Sequence, residues 1–180
     1  MDKIRIKDKE FRVSIHYESI YESVRKIAAQ INEDFKDKET PIFLSILNGA
    51  FMFTADLFKE LNINSYLSFV KFASYQGTST SGTVKKLIGI NEDLKDKNVI
   101  VLEDIVDSGL TIKQVTDQVE AFQPREMKIA TLLLKPEIFN GEITLDYVGM
   151  EVPNDFIIGY GLDYNGLGRN YRDIYKVVSQ

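Results

Sequence analysis

The sequence predicts an α/β fold: a mostly parallel, twisted sheet with helices on both faces. Two observations carry this. Short apolar runs suited to buried strands alternate with segments whose apolar residues recur at helical spacing. That alternation runs along the chain with no internal repeat, low-complexity tract or linker, and 180 residues suit one domain, 1–180.

The elements follow in order. Ser19, with Glu22 three residues on, resembles a capping box. Beyond it Ile20, Val24, Ile27, Ala28, Ile31 and Phe35 form the apolar face of a first helix, which ends by Thr40-Pro41. Residues 42–47 are an apolar run for a buried strand. After Gly49, a second helix presents Ala50, Phe53, Thr54, Leu57, Phe58 and Leu61 on one face. Residues 66–72 read as a strand and 99–102 as a second buried one. Leu110, Ile112, Val115, Val119 and Phe122 mark a third helix, stopped by Pro124. Residues 127–134 and 145–150 complete the strands. Ligands of such sheets sit at the carboxyl ends of the strands, so the places to look follow Leu47, Leu102 and Leu134.

Composition narrows the chemistry. Nine Tyr and eleven Phe supply enough apolar surface to exclude disorder as the main state. No apolar run approaches the roughly 20 residues of a membrane span, and no membrane partner is expected. The first seven residues alternate charged and apolar side chains, without the apolar core of a secretory signal. Cysteine is absent, which removes disulfides, zinc-thiolate sites and thiol nucleophiles and fits an expected cytoplasmic location. His16 is the one histidine, expected to be structural or exposed, so a Ser–His or multi-His metal mechanism has almost no material. Carboxylates, Lys, Arg, Tyr, hydroxyls and backbone amides remain. A net charge of −5 opposes a nucleic-acid backbone, and no nucleic-acid partner is expected. A small phosphorylated ligand is compatible with it, because local amides and a divalent cation outweigh net charge. The charge runs at 36–39 and 93–97 read as solvated turns.

The most informative stretch is Val99-Ile100-Val101-Leu102-Glu103-Asp104-Ile105-Val106-Asp107-Ser108-Gly109-Leu110-Thr111. Three carboxylates leave a buried strand within five positions, and a hydroxyl-Gly-x-hydroxyl turn opens a helix. The amides, hydroxyls and helix dipole from Ser108 to Thr111 suit a phosphate monoester. The acids suit a ribose diol, a divalent cation or a developing positive charge. Asp107 or Ser108 as a mere helix cap is the plainer alternative. It leaves unexplained why Glu103 and Asp104 crowd like charges at a buried strand end, an arrangement that costs stability unless something binds there.

This stretch resembles the phosphoribosyl-pyrophosphate motif of type I phosphoribosyltransferases, and further matches narrow the resemblance to the hypoxanthine-guanine phosphoribosyltransferases. Leu47-Asn48-Gly49-Ala50 stands at the family's pyrophosphate loop, Ser74-Tyr75 begins its mobile catalytic loop and residues 84–89 its return. Lys135 matches the lysine that reads the purine's six-position oxygen. Residues 147–149 with Pro153, then 156–164, resemble the base-binding segment, and Arg169 matches the pyrophosphate arginine. The resemblance implies a hood subdomain from about 1–15 and 150–180 over the main sheet. It implies transfer of the 5-phosphoribosyl group from phosphoribosyl pyrophosphate to hypoxanthine or guanine, giving IMP or GMP and pyrophosphate, with Mg²⁺ as cofactor and a homodimer or homotetramer as the assembly. The implied roles are Asp107 as catalytic base, Glu103 and Asp104 on the ribose hydroxyls or the metal, and Asp163 on the metal. Ser108, Gly109, Leu110 and Thr111 would hold the 5′-phosphate, Phe156 and Ile157 the base, and Asn48, Gly49, Ser74, Tyr75 and Arg169 the pyrophosphate side. Asn48 departs from the lysine common there; the resemblance places a cis peptide at this loop, whose backbone amide survives the change.

By default Lys135 is a solvated lysine, Phe156 a core residue, Tyr75 a surface aromatic and 77–82 a flexible loop. Three other functions share the fold: a nucleotide-sensing or RNA-binding regulator, an enzyme for another base, and a nucleotide-binding module without turnover.

Overall fold

The computed structural model describes residues 3–76 and 83–178, without the side chains of 72–88. Five parallel strands and one antiparallel edge strand form the main sheet: β3 (Ile42–Ile46), β4 (Tyr66–Gln76), β5 (Thr83–Ile88), β6 (Asn98–Val106), β7 (Glu126–Leu134) and β8 (Tyr147–Glu151), in the order β5-β4-β3-β6-β7-β8. Alternation along the strands divides the core. Phe43, Ile100 and Leu102 face α1 (Tyr17–Phe35) and α2 (Phe51–Glu60). Leu44, Val99 and Val101 face α3 (Leu110–Glu120) on the other side. Helices on both faces are therefore observed. Each buried aliphatic side chain of the α1 stripe contributes about 1.5–3 kcal/mol of transfer free energy. Among the described residues no helix is long and apolar enough to cross a membrane.

A second, antiparallel sheet has the order β1-β2-β10-β9, from β1 (Lys3–Ile6), β2 (Lys9–Ile15), β9 (Ile157–Ile158) and β10 (Ile174–Val177). Both ends of the chain build it around Ile4, Ile6, Phe11, Ile158 and Tyr175.

Several local expectations are corrected. α1 begins at Tyr17, so Ser19 lies inside the helix and the capping box does not form. Instead the Asp173 carboxylate, 156 residues away, accepts the Tyr17 amide at 2.7 Å. β4 continues past Phe72 to Gln76 because β5 pairs with its extension. Leu110 and Phe122, assigned to the buried face of α3, are exposed: Leu110 opens the helix and Phe122 lies in the turn beyond it. The two charge runs meet each other, Glu39 accepting from Lys97 at 2.5 Å and from Arg125 at 2.9 Å, and Lys38 reaching Glu126 at 2.8 Å. His16 is exposed before α1.

Candidate active site

β6 runs on through Val106, so Glu103 and Asp104 stand on the strand rather than beyond its expected end at Leu102. The register with β7 explains the extension, with Glu103 opposite Thr131 and Val106 opposite Leu134. Both acids are buried. The Ile105 amide donates to Asp104 Oδ1 at 2.8 Å, while Glu103 Oε2 has no hydrogen-bond partner among the described residues. Burial, then the neighbouring Asp104 charge, push the Glu103 carboxyl well above the usual carboxylate range. Burial also raises Asp104, against the pull of its hydrogen bonds and of Arg169.

The raised pKa makes the free site a source of instability. Folded protein holds the Glu103 proton more tightly than unfolded chain does. Stability is therefore lost as pH climbs from the unfolded carboxylate range toward neutrality. Glu103→Gln is expected to raise the urea midpoint of ligand-free protein at pH 8, by a margin that shrinks toward pH 4. A lower midpoint at pH 8 would contradict this.

Downstream of β6 the chain turns at Asp107 and Ser108 and enters α3 through Gly109, whose φ of 89° suits glycine. Gly109, without a side chain, is the N-cap, and the contact to the first amide of α3 is a long one from Leu110 N to Ser108 Oγ at 3.5 Å, not one to Asp107. The plainer capping alternative for Asp107 thus fails. Ser108, Gly109 and Thr111 line a hollow of about 220 Å³ with Asp107 at the start of α3. Such a helix start attracts anions.

A neighbouring cavity of about 370 Å³ gathers residues from four parts of the chain. Asn48 and Gly49 come from the loop after β3, where the Leu47–Asn48 peptide is cis. Glu103, Asp104, Asp107 and Thr111 come from β6 and the turn, and Lys135 from the end of β7. Phe156, Ile157, Asp163 and Arg169 come from the C-terminal third. A Cβ at Gly49 would overlap the Asp104 carboxylate, and one at Gly161 the Gly49 carbonyl, so backbone closes this cavity where side chains cannot fit.

Lys135 is buried and its Nζ lies 3.1 Å from Asp107, a half-exposed acid. Its default as a solvated lysine is set aside. The Phe156 ring is 45% exposed, with Tyr164 edge-on at 5.7 Å and Phe11 tilted at 6.2 Å. One face is thus backed by aromatic rings while the residue stays open to the cavity. Asp163 pairs with Arg169, accepts the Gly166 amide at 2.6 Å, and Arg169 Nη1 donates to the Gly161 carbonyl at 2.6 Å.

Not every expected residue joins this group. Leu110 is exposed and lines neither hollow. The side chains of Ser74 and Tyr75 and the loop 77–82 lie outside the described residues. Glu103, Asp104 and Asp163 share the cavity, yet among the described residues the ligand-type side chains gathered within 4.8 Å are His16, Glu18 and Asp173. Asp163 is drawn off by Arg169 and Gly166. Sequence reasoning missed Phe11 and Tyr164 as the support of Phe156. Tyr164 stood inside a recognised segment, but Phe11 carried no signal in the chain.

The phosphoribosyl transferase domain model matches residues 16–165. The curated hypoxanthine-guanine phosphoribosyltransferase of Streptococcus pneumoniae is 37% identical over 164 residues, covering 91% of this chain and 89% of its own. This chain belongs to the hypoxanthine-guanine phosphoribosyltransferases. The Aquifex aeolicus member is 33% identical over 173 residues, 96% of this chain and 97% of its own. The crystal structure of the Bacillus anthracis hypoxanthine-guanine phosphoribosyltransferase superposes with a TM-score of 0.83 at 36% identity, covering 97% of this chain and 100% of that one. The Trypanosoma cruzi hypoxanthine phosphoribosyltransferase in complex with its product IMP gives 0.83 at 31% identity, covering 97% of each chain. The family membership accounts for the fold class and for the order of the motifs along the chain.

Proposed function

We propose that this chain is a purine salvage enzyme that transfers the 5-phosphoribosyl group from phosphoribosyl pyrophosphate to hypoxanthine or guanine, releasing pyrophosphate. One observation carries the reading: a single cavity is lined by a buried lysine paired to Asp107, a half-exposed Phe156, a buried acid pair and Arg169. No observation favours the regulator.

Each residue has a task in that reaction. Phe156 stacks on the purine and Lys135 donates to its six-position oxygen. Asp107 accepts the proton from the attacking ring nitrogen. Glu103 and Asp104 accept from the ribose hydroxyls, which would satisfy the bare Glu103 Oε2 and lift the burial penalty. Ser108 to Thr111 hold the 5′-phosphate through amides and hydroxyls. The Asn48–Gly49 backbone and Arg169 hold the pyrophosphate, Arg169 exchanging Asp163 for it.

Hard oxygen donors around an uncompensated buried carboxylate fit Mg²⁺, which is commonly bound through one or two carboxylates together with substrate phosphates. Glu103, Asp104 and Asp163 would hold it. When bound, it neutralises charge on the leaving pyrophosphate. The four-stranded sheet serves as hood, from about 1–15 and 150–180. A cytoplasmic homodimer or homotetramer completes the reading, checked by light scattering.

The test is purified protein with Mg²⁺, phosphoribosyl pyrophosphate and four purines, following pyrophosphate and nucleotide. IMP or GMP formation with stoichiometric pyrophosphate is expected. Tight nucleotide binding without turnover, or turnover with adenine alone, would overturn the proposal.

A further inference from the structure

Asp56 is a buried carboxylate on α2 that the reaction does not use. Its Oδ2 accepts the hydroxyl of Tyr160 at 2.7 Å, across 104 residues of chain, and that of Tyr17 at 3.2 Å. Its Oδ1 accepts Lys59 at 2.7 Å. Three donors thus meet the hydrogen-bonding needs of this buried acid. The Tyr160 ring is itself buried, and burial together with the Asp56 bond raises its phenol above the ordinary range.

The other end of Tyr160 is the unusual part. Its φ is 46°, and Gly159 and Gly161 on either side have φ of 95° and 99°. Gly159 and Leu162 close this turn with two reciprocal backbone hydrogen bonds of 3.0 Å, and external anchors fix where it sits. Its backbone has two: Tyr160 N donates to Tyr171 O at 2.7 Å and Gly161 N to Arg169 O at 3.0 Å. The Tyr160 side chain is anchored by its bond to Asp56. The turn packs so closely on the Gly49 carbonyl that a Cβ at Gly161 has no room, and its Gly161 carbonyl receives the Arg169 guanidinium. A shift of the turn therefore moves Arg169 and the Asn48–Gly49 loop relative to one another. The base side has contacts of its own, Asp107 on Lys135 and Phe11 and Tyr164 on Phe156.

We propose that Asp56 is a positioning residue for the pyrophosphate half of the site, holding through the Tyr160 hydroxyl the turn that seats Gly49 and Arg169. This rests on the assignment of that half to phosphoribosyl pyrophosphate. Asp56 touches no substrate; it acts through Tyr160.

The test compares Tyr160→Phe and Asp56→Asn with Asn98→Ala. Asn98 is buried at the start of β6, donates to the Glu39 carbonyl at 2.9 Å and supplies a loss of stability away from this turn. Misplacement of binding groups by about 1 Å can cost up to about 100-fold, so KM for phosphoribosyl pyrophosphate should rise about 10-fold or more in the first two variants. KM for hypoxanthine should stay near the wild-type value, and Asn98→Ala should lower Tm without the split. Calorimetric binding of magnesium phosphoribosyl pyrophosphate reads the same loss without turnover. It therefore judges Asp56 even if the wild type proves inactive, an outcome that would sink the assigned reaction alone. If Asp56→Asn does not fold, Tyr160→Phe, which removes one oxygen, decides. Equal changes in both KM values, or a fall in Tm with unaltered binding, would overturn the proposal.

Discussion

Asp107→Asn is expected to lower kcat by about 10²–10⁴-fold, the usual worth of a positioned proton acceptor. The substitution keeps the shape of the side chain and removes its basicity. Helix α3 should be indifferent to it, because Gly109 is the N-cap and the Leu110 amide faces Ser108 Oγ rather than Asp107. Asp107 is half-exposed in the cavity lining, with Lys135 Nζ at 3.1 Å, so it is oriented and open to a ligand at once. Affinity for IMP should change far less than turnover. Single-turnover mixing separates the chemical step from product release, and thermal melting monitors the fold. Wild-type kcat in this variant would remove Asp107 from the role of base. A loss of stability matching the loss of activity would return it to a structural one.

Adenine is expected to be used at least about 10³-fold less efficiently than hypoxanthine, judged by kcat/KM, since a site built for one hydrogen-bond pattern leaves buried groups unpaired with the wrong one. Lys135 has only donors, and adenine offers an amino group where hypoxanthine offers an oxygen. The burial of Lys135 sharpens the discrimination, because water cannot make up the missing bond. Lys135→Ala should raise KM for hypoxanthine by about 10–100-fold, the range for a hydrogen bond to a charged group. Part of any fall in kcat would report Asp107 left without its partner. Comparable kcat/KM for the two bases in the wild type would refute the assignment.

These two expectations and the Glu103→Gln stabilisation share one physical theme. The buried acids and the lysine cost folding free energy that ligands are placed to recover, the usual conflict between stability and activity at a site. An Asp56 variant behaves differently, since that acid is already satisfied by Tyr160, Tyr17 and Lys59.

The linear sequence by itself determined whatever depends on near neighbours. Periodic apolar residues placed α1, α2 and α3 and the central strands, because burial of one face repeats with the period of the element. The run from Glu103 to Thr111 announced a phosphate and sugar site because its acids, glycine and hydroxyls are adjacent in the chain. Periodicity reports that a face is buried and not against what. It therefore stopped β6 at Leu102, where apolar residues give way to acids, although pairing with β7 carries the strand to Val106. It supplied a Ser19 cap for α1 where Asp173 does the work from the opposite end of the chain. Only the tertiary structure seated Lys135 on Asp107, set Phe11 behind Phe156, and tied Asp56 to Tyr160. Those pairs come from distant segments that the sheet order and the hood bring together, and a hydrogen bond or ring contact across such a distance leaves no mark in the spacing of either partner's neighbours.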